Sequence, residues 1–361
     1  MKILVINKDK IENIPPLISV ALILNDLGCE VHIITGDISE SLSKEFNKRG
    51  ITYEVYGLYG KSNPITKGYQ YLKFRSTIGK RIKQITHDLL WIEGANTIYA
   101  LGNKIKGENY ILQISELHNE TKPFIRAIDK VIKDAKIVFM PEYNRCVFYQ
   151  VWFKLPNRPR VLVNKPYFIP SKTSLVEYEN KYKNLLEIFK KKKVILYQGW
   201  IQPDRDLSQY ILATKEMGED YCFVMIGVDC GMVEKYKKLD NNIIHIDFIP
   251  APEYLVFTAN AYIGILSYNG QILNNAYCAP NKIFEYSAFG LPMIGNDIPA
   301  LISAIQYGKT GCIVDENNKE SIKKAITNIS NNYTYFSENS KLFNLSIDNK
   351  SIIQKALNDC F

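Results

Sequence analysis

The chain has 361 residues, 46% of them hydrophobic and 23% charged, and a formal net charge of +8; that length suits two domains of about 150 to 180 residues, each able to bury a core. No apolar run approaches the roughly 20 residues of a membrane span, and seven scattered cysteines without a CxxC pair or a histidine at ligand spacing speak against a disulfide frame or a zinc site. The basic residues are dispersed apart from runs such as Lys190 to Lys193, so nucleic acid is not the expected partner, while phosphate-bearing substrates or an anionic membrane face fit the charge.

KILVIN (2–7) opens the chain as a buried strand, and the charged Lys8, Asp9 and Lys10 that follow argue against a signal peptide and for a cytoplasmic protein. PLISVALILNDLG (16–28), EVHIITG (30–36), SLSKEFNKRG (41–50) and ITYEVYG then alternate helix and strand, the doubly wound pattern. Further strands are expected at LLWIEG (89–94), NYILQIS (109–115), KIVFMP (136–141) and RVLVNKP (160–166). A charged helical stretch after Pro166 reads as a domain junction. Beyond it, VILYQGW (194–200), CFVMIG (222–227), NIIHIDFI (242–249), YIGILSY (262–268), LPMIGN (291–296) and GCIVD (311–315) repeat the alternation. The expected fold is α/β, with two doubly wound Rossmann-like domains facing one another across a cleft. The first domain covers 1–168, the second 169–345, and a C-terminal helix over 346–361 packs back on the first. Ligands of such sheets bind beyond the carboxyl ends of the strands, often at helix N-termini, so the loops after the strands should carry function.

One stretch, APNKIFEYSAFGLPMIGN (279–296), places its single carboxylate one turn inside an apolar helix. Pro280 favours a helix start, Asn281 is a good N-cap, Ile283 and Phe284 can turn inward, and Gly290 ends the helix. Free backbone N–H groups at such a helix start, with Lys282 beside them, can hold a diphosphate. Glu285 can accept two hydrogen bonds from ribose hydroxyls. The residues alone leave open the plainer reading, a glutamate that complements its helix dipole.

PNKIFEYSAFGLPMIG resembles a segment of bacterial glycosyltransferases of the GT-B fold, in the large retaining family 4 that builds capsules, O-antigens and glycolipids. LYQGWIQPDRDL (196–207) and MIGVDCG (225–231) resemble the first two strand-loops of the donor domain, and Asn164 to Pro166 the interdomain hinge. The resemblance implies that Glu285 holds the donor ribose, with Asn281, Lys282 and Ile283 of the same segment and Gly199 of the first loop around the donor. Arg205 takes the donor phosphates, while Trp200 stands where relatives carry an arginine. The family signature has two acids separated by seven residues, and Tyr277 replaces the first, in the donor-sugar position. In SELHNE (115–120) the resemblance assigns His118 to the sugar, with Glu116 orienting it or meeting the acceptor. From PEYNR (141–145), Glu142, Asn144 and Arg145 are candidates for the acceptor side.

The implied activity is metal-independent transfer of a sugar, with retention, from a UDP- or GDP-sugar to a glycan or lipid-linked acceptor in surface polysaccharide or glycoconjugate synthesis. No cofactor is expected. A peripheral contact with the inner face of an anionic membrane and a partner glycosyltransferase complete the expectation. The alternatives are a catalytically inactive GT-B subunit that binds nucleotide or a partner enzyme, and a sugar-nucleotide epimerase of the same fold. A dehydrogenase is disfavoured, since neither half opens with GxGxxG after its first strand.

Overall fold

The computed structural model describes residues 1–57 and 64–361. They form two compact units, one of Met1–Tyr167 with Asp348–Phe361 and the other of Phe168–Ile347.

The first unit is built on seven strands, β1 (Lys2–Ile6), β2 (Glu30–Thr35), β3 (Thr52–Val55), β4 (Leu89–Glu93), β5 (Tyr110–Gln113), β6 (Ile137–Met140) and β7 (Arg160–Val161). They lie in the order β3-β2-β1-β4-β5-β6-β7, and every pair is parallel. Leu4, Val5 and Ile6 of β1 and Leu90, Trp91 and Ile92 of β4 are fully buried. Such continuous apolar runs are what strands covered by helices on both faces require. The C-terminal helix Asn349–Cys360 belongs to this unit: Ile353, Ala356 and Leu357 join the core around Val20 and Leu24, and Asn349 Nδ2 donates to the Val163 carbonyl at 2.9 Å.

The second unit carries β8 (Lys193–Gln198), β9 (Tyr221–Ile226), β10 (Ile244–Ile246), β11 (Ile263–Leu266), β12 (Met293–Asn296) and β13 (Gly311–Val314), in the parallel order β10-β9-β8-β11-β12-β13. The winding direction reverses between β1 and β4 in one sheet and between β8 and β11 in the other. Crevices at the carboxyl ends of those strands are therefore the natural ligand positions.

Two expected strands are shorter than the apolar runs that suggested them. The run 160–166 pairs only over Arg160–Val161, because the chain turns back at Val163, whose carbonyl accepts the Lys165 N–H at 2.8 Å. The run 242–249 pairs only over Ile244–Ile246.

Candidate functional site

Gln198 ends β8, and the two following loops meet backbone to backbone. Gly199 has φ +126° and Gly227, after β9, φ +139°; a Cβ on Gly227 would lie 2.1 Å from the Gly199 carbonyl oxygen. Only glycine allows that approach. The gap so created opens into a cavity of about 370 Å³ whose floor includes Gln198, Arg205, Lys282 and Glu285. Its rim is apolar, with Trp200, Val228 and Phe248 exposed at 59%, 39% and 67%.

Glu285 sits in the helix Asn281–Ala288 and is 5% exposed. Tyr254 donates its hydroxyl to Oε1 at 2.5 Å, and Gln198 Nε2 donates to Oε2 at 2.6 Å. Gln198 is oriented in turn by the Thr258 hydroxyl, 2.7 Å from its Oε1. Burial raises the Glu285 pKa above the ordinary carboxylate value, against the opposing pull of Tyr254, Lys282 and Gln198. A carboxylate has about four lone-pair directions, so two protein donors leave room for two more, the number a ribose diol supplies.

Lys282 lies one residue inside the same helix, where the first-turn N–H groups have no intrahelical acceptor. Its Nζ is buried and, among the described residues, has no hydrogen-bond partner; it faces the rings of Tyr197 and Tyr268, whose centroids are 4.6 and 5.2 Å away. Burial, with the nearby Arg205 charge, pushes its pKa down to about 7. Arg205 is half-buried, its Cζ 4.8 Å from the Tyr268 ring centroid and its Nε without a hydrogen-bond partner. It forms no ion pair with Asp204 or Asp206; Asp206 instead accepts from Ser208 and stands 3.9 Å from Lys235. Two cations thus converge on one cavity, Arg205 beside Tyr197 and with its Nε unspent, Lys282 with its Nζ unspent, which is the electrostatic complement of a bound polyanion.

The structure corrects several sequence expectations for this segment. Pro280, with φ −72° and ψ 136°, is the N-cap, so Asn281 is the first helical residue and its side chain makes no capping hydrogen bond, although it lines the cavity. Proline's fixed φ and missing N–H move the cap one residue back. Ile283, 4% exposed, faces the interior and does not line the cavity. Tyr277 ends the short helix Leu273–Ala276 and is also absent from the lining. Sequence reasoning did not single out Gln198, Thr258, Tyr254 or Phe248; a polar residue ending a buried strand was the only signal for Gln198.

In the first unit the polar side chains at the strand ends mostly satisfy one another. Arg145 is 2% exposed and donates to the Ser115 carbonyl and, at 3.3 Å, to Glu116 Oε2. Glu142 is the N-cap of the helix Tyr143–Trp152, accepting the Arg145 N–H at 2.9 Å and Asn144 Nδ2 at 2.8 Å. Of the two roles expected for Glu116, orienting His118 or meeting the acceptor, the first finds no hydrogen bond among the described residues, and the carboxylate pairs with Arg145 instead. Glu93, at the end of β4, is buried, and burial together with Asp9 and Glu116 pushes its pKa up to about 8. His118 differs from all of these. Its backbone has φ +57°, its ring meets Phe124 edge to face at 5.4 Å, and neither ring nitrogen has a hydrogen bond among the described residues. Burial holds its pKa below the usual imidazole value, so the neutral ring is favoured.

The two parallel doubly wound sheets define an α/β protein with the GT-B fold of two Rossmann-like domains. Residues 179–343 match the family model described as glycosyl transferases group 1. A glycosyltransferase from Rickettsia africae ESF-5 is similar in structure with a TM-score of 0.73 at 17% identity, over 99% of this chain and 98% of that one. Anabaena Alr3699/HepE in complex with UDP and glucose is similar with a TM-score of 0.72 at 11% identity, over 99% and 98%. WaaG, a glycosyltransferase involved in lipopolysaccharide biosynthesis, is similar with a TM-score of 0.65 at 15% identity, over 99% and 98%. No curated protein sequence matches the chain.

Proposed function

We propose that the chain is a glycosyltransferase that takes a sugar from a nucleoside diphosphate donor, with the nucleotide held in the second unit. The observation that carries this reading is that two buried nitrogen atoms, Lys282 Nζ and Arg205 Nε, have no hydrogen-bond partner among the described residues, in the cavity whose lining also includes Glu285. The match of residues 179–343 to a glycosyltransferase family supports the same reading, as does the UDP complex of the similar Anabaena protein.

In this reading Glu285 accepts the ribose hydroxyls and the base rests against the apolar rim of Trp200, Val228 and Phe248. Lys282, Arg205 and the N-terminus of the helix Asn281–Ala288 stabilise the charge that builds on the diphosphate as the sugar–phosphate bond breaks, and the transfer needs no metal ion. His118 serves the transferred sugar from the first unit. The donor phosphate oxygen takes the acceptor hydroxyl proton, the sugar keeps its anomeric configuration, and the acceptor is a glycan or a lipid-linked sugar. We place the enzyme in the cytoplasm at the inner face of the membrane, in surface polysaccharide or glycoconjugate synthesis, alongside other glycosyltransferases. Among the described residues no helix is long and apolar enough to cross a membrane.

A second reading, an inactive subunit that binds nucleotide without transferring sugar, is favoured by Tyr277 standing where the family pattern has its first acid. One experiment separates them. Melting temperatures of the purified chain are measured with a panel of UDP- and GDP-sugars, since a ligand that binds only the folded state must stabilise it, and donor hydrolysis and transfer are then followed in excess EDTA. Stabilisation with turnover supports the enzyme, stabilisation without turnover supports the subunit, and no stabilisation by any nucleotide removes the donor site itself.

A further inference from the structure

A cavity of about 450 Å³ in the first unit, sharing no residue with the strand-end group described above, is lined by Arg75, Lys104, Arg126 and Lys130 and by no carboxylate. Its walls are the helices Pro64–Gln84, Ala95–Leu101 and Lys122–Asp129 with the turn Gly102–Ile105. Two of the cations occupy seats made by missing side chains. Gly102 has φ +57°, and a Cβ there would lie 2.9 Å from the Arg75 Cζ; a Cβ on Gly79 would lie 2.9 Å from the Lys104 Cγ. Arg75 is further fixed by donating from Nε to the Ala100 carbonyl at 2.9 Å and from Nη2 to the Tyr99 carbonyl at 2.8 Å, which leaves Nη1 unspent.

Arg75 caps a helix end by hydrogen bonds to its carbonyls, whereas Lys104, Arg126 and Lys130, also near the ends of their elements, make no such hydrogen bond among the described residues. Arg126, in the last turn of the helix Lys122–Asp129, and Lys130, its C-cap, are four residues apart, where like charges repel. Among the described residues, Lys104, Arg126 and Lys130 are exposed and have neither an ion pair nor a hydrogen bond. A concave site that gathers four positive charges, one on a guanidinium already oriented, suits a compact group with several negative oxygens.

We propose that this cavity is an anion site, separate from the donor site, that takes phosphate groups, carried either by a soluble diphosphate or by an anionic phospholipid headgroup. It does not depend on the chain being a glycosyltransferase. The test uses the full chain at low ionic strength with two probes, inorganic pyrophosphate by calorimetry and phosphatidylglycerol-containing vesicles by cosedimentation, and compares wild type with Arg126→Glu/Lys130→Glu. Both substituted side chains are exposed, so the melting temperature should hold. At least one probe should bind about tenfold or more weakly to the double variant, since each charged hydrogen bond lost carries that order of effect. Lys104→Ala, which adds no charge, should weaken the same probe by a smaller factor, and UDP binding should be unchanged in all three proteins. Loss confined to pyrophosphate identifies a soluble source, and loss confined to vesicles a headgroup. Equal binding of both probes by wild type and both variants, or no binding of either probe to wild type, would overturn the proposal.

Discussion

The carboxyl ends of the two sheets hold similar kinds of side chain in opposite states. In the first unit Arg145 is buried and spent: its guanidinium holds Ser115 and Glu116, and its own N–H is capped by Glu142. In the second, Lys282 and Arg205 are brought beside a cavity with Nζ and Nε unspent. Burying a charge without a hydrogen-bond partner costs stability, and a protein keeps such an arrangement where a ligand completes it. The comparison separates a buried cation that fixes structure from one that awaits an anion.

The largest expected effect concerns His118, whose ring nitrogens have no hydrogen bond among the described residues. His118→Ala should lower turnover by about 10- to 1000-fold, as loss of one positioned polar group from a transition state does. The melting temperature and UDP affinity should be retained. A destabilised protein with normal turnover per folded molecule would move His118 into the structural class.

A crossed pair of substitutions sharpens the contrast further. Arg145→Met should reduce stability by about 1 to 3 kcal/mol, because it strands the Ser115 carbonyl, and should leave nucleotide affinity alone. Lys282→Met should do the reverse, weakening UDP by about 1.5 to 3 kcal/mol while raising the denaturation midpoint of the free protein. If Lys282→Met instead destabilised the free protein as Arg145→Met does, the two cations would belong to one class.

Lys282 also predicts a pH dependence with a definite sign. Its pKa in the free folded protein is about 7, below the ordinary 10.5, so the folded state holds fewer protons than the unfolded state between those values. The stability penalty is therefore fully present below pH 7 and fades as pH rises toward 10.5. The gain from Lys282→Met should fade with it. A bound diphosphate restores the charge, so binding should take up a proton above pH 7 and UDP affinity should fall as pH rises. Calorimetry in buffers of different ionisation enthalpy measures that uptake, and a pH-independent affinity between 7 and 9 that persists in Lys282→Met would show that the ammonium does not meet the ligand.

Much of the scaffold was legible because strands covered on both faces are continuous apolar runs, and KILVIN, LLWIEG and CFVMIG are read without knowing their neighbours. Glu285 stood out for a local reason too, as a carboxylate one turn inside a short helix, and it lines the cavity of the second unit, while its assignment to a ribose came from the resemblance. What escaped was held by distant elements. Gln198 reaches Glu285 from 87 residues away and Tyr254 from 31, so neither could be recognised as its anchor from spacing. Arg145 likewise takes Glu116 from 29 residues away, against one of the two roles expected for Glu116, orienting its neighbour His118. Asn281 was displaced from its capping position by the conformation of Pro280, a choice between two adjacent good candidates that only backbone geometry decides.

The central claim, that the second unit holds a nucleoside diphosphate with its ribose on Glu285, is tested most directly by titrating UDP and GDP into the wild-type chain and into Glu285→Ala. At least one nucleotide should bind the wild type and lose about 1.5 to 3 kcal/mol of affinity in the variant, the scale of hydrogen bonds to a charged group, while the variant stays folded. Equal affinity for both proteins would contradict it.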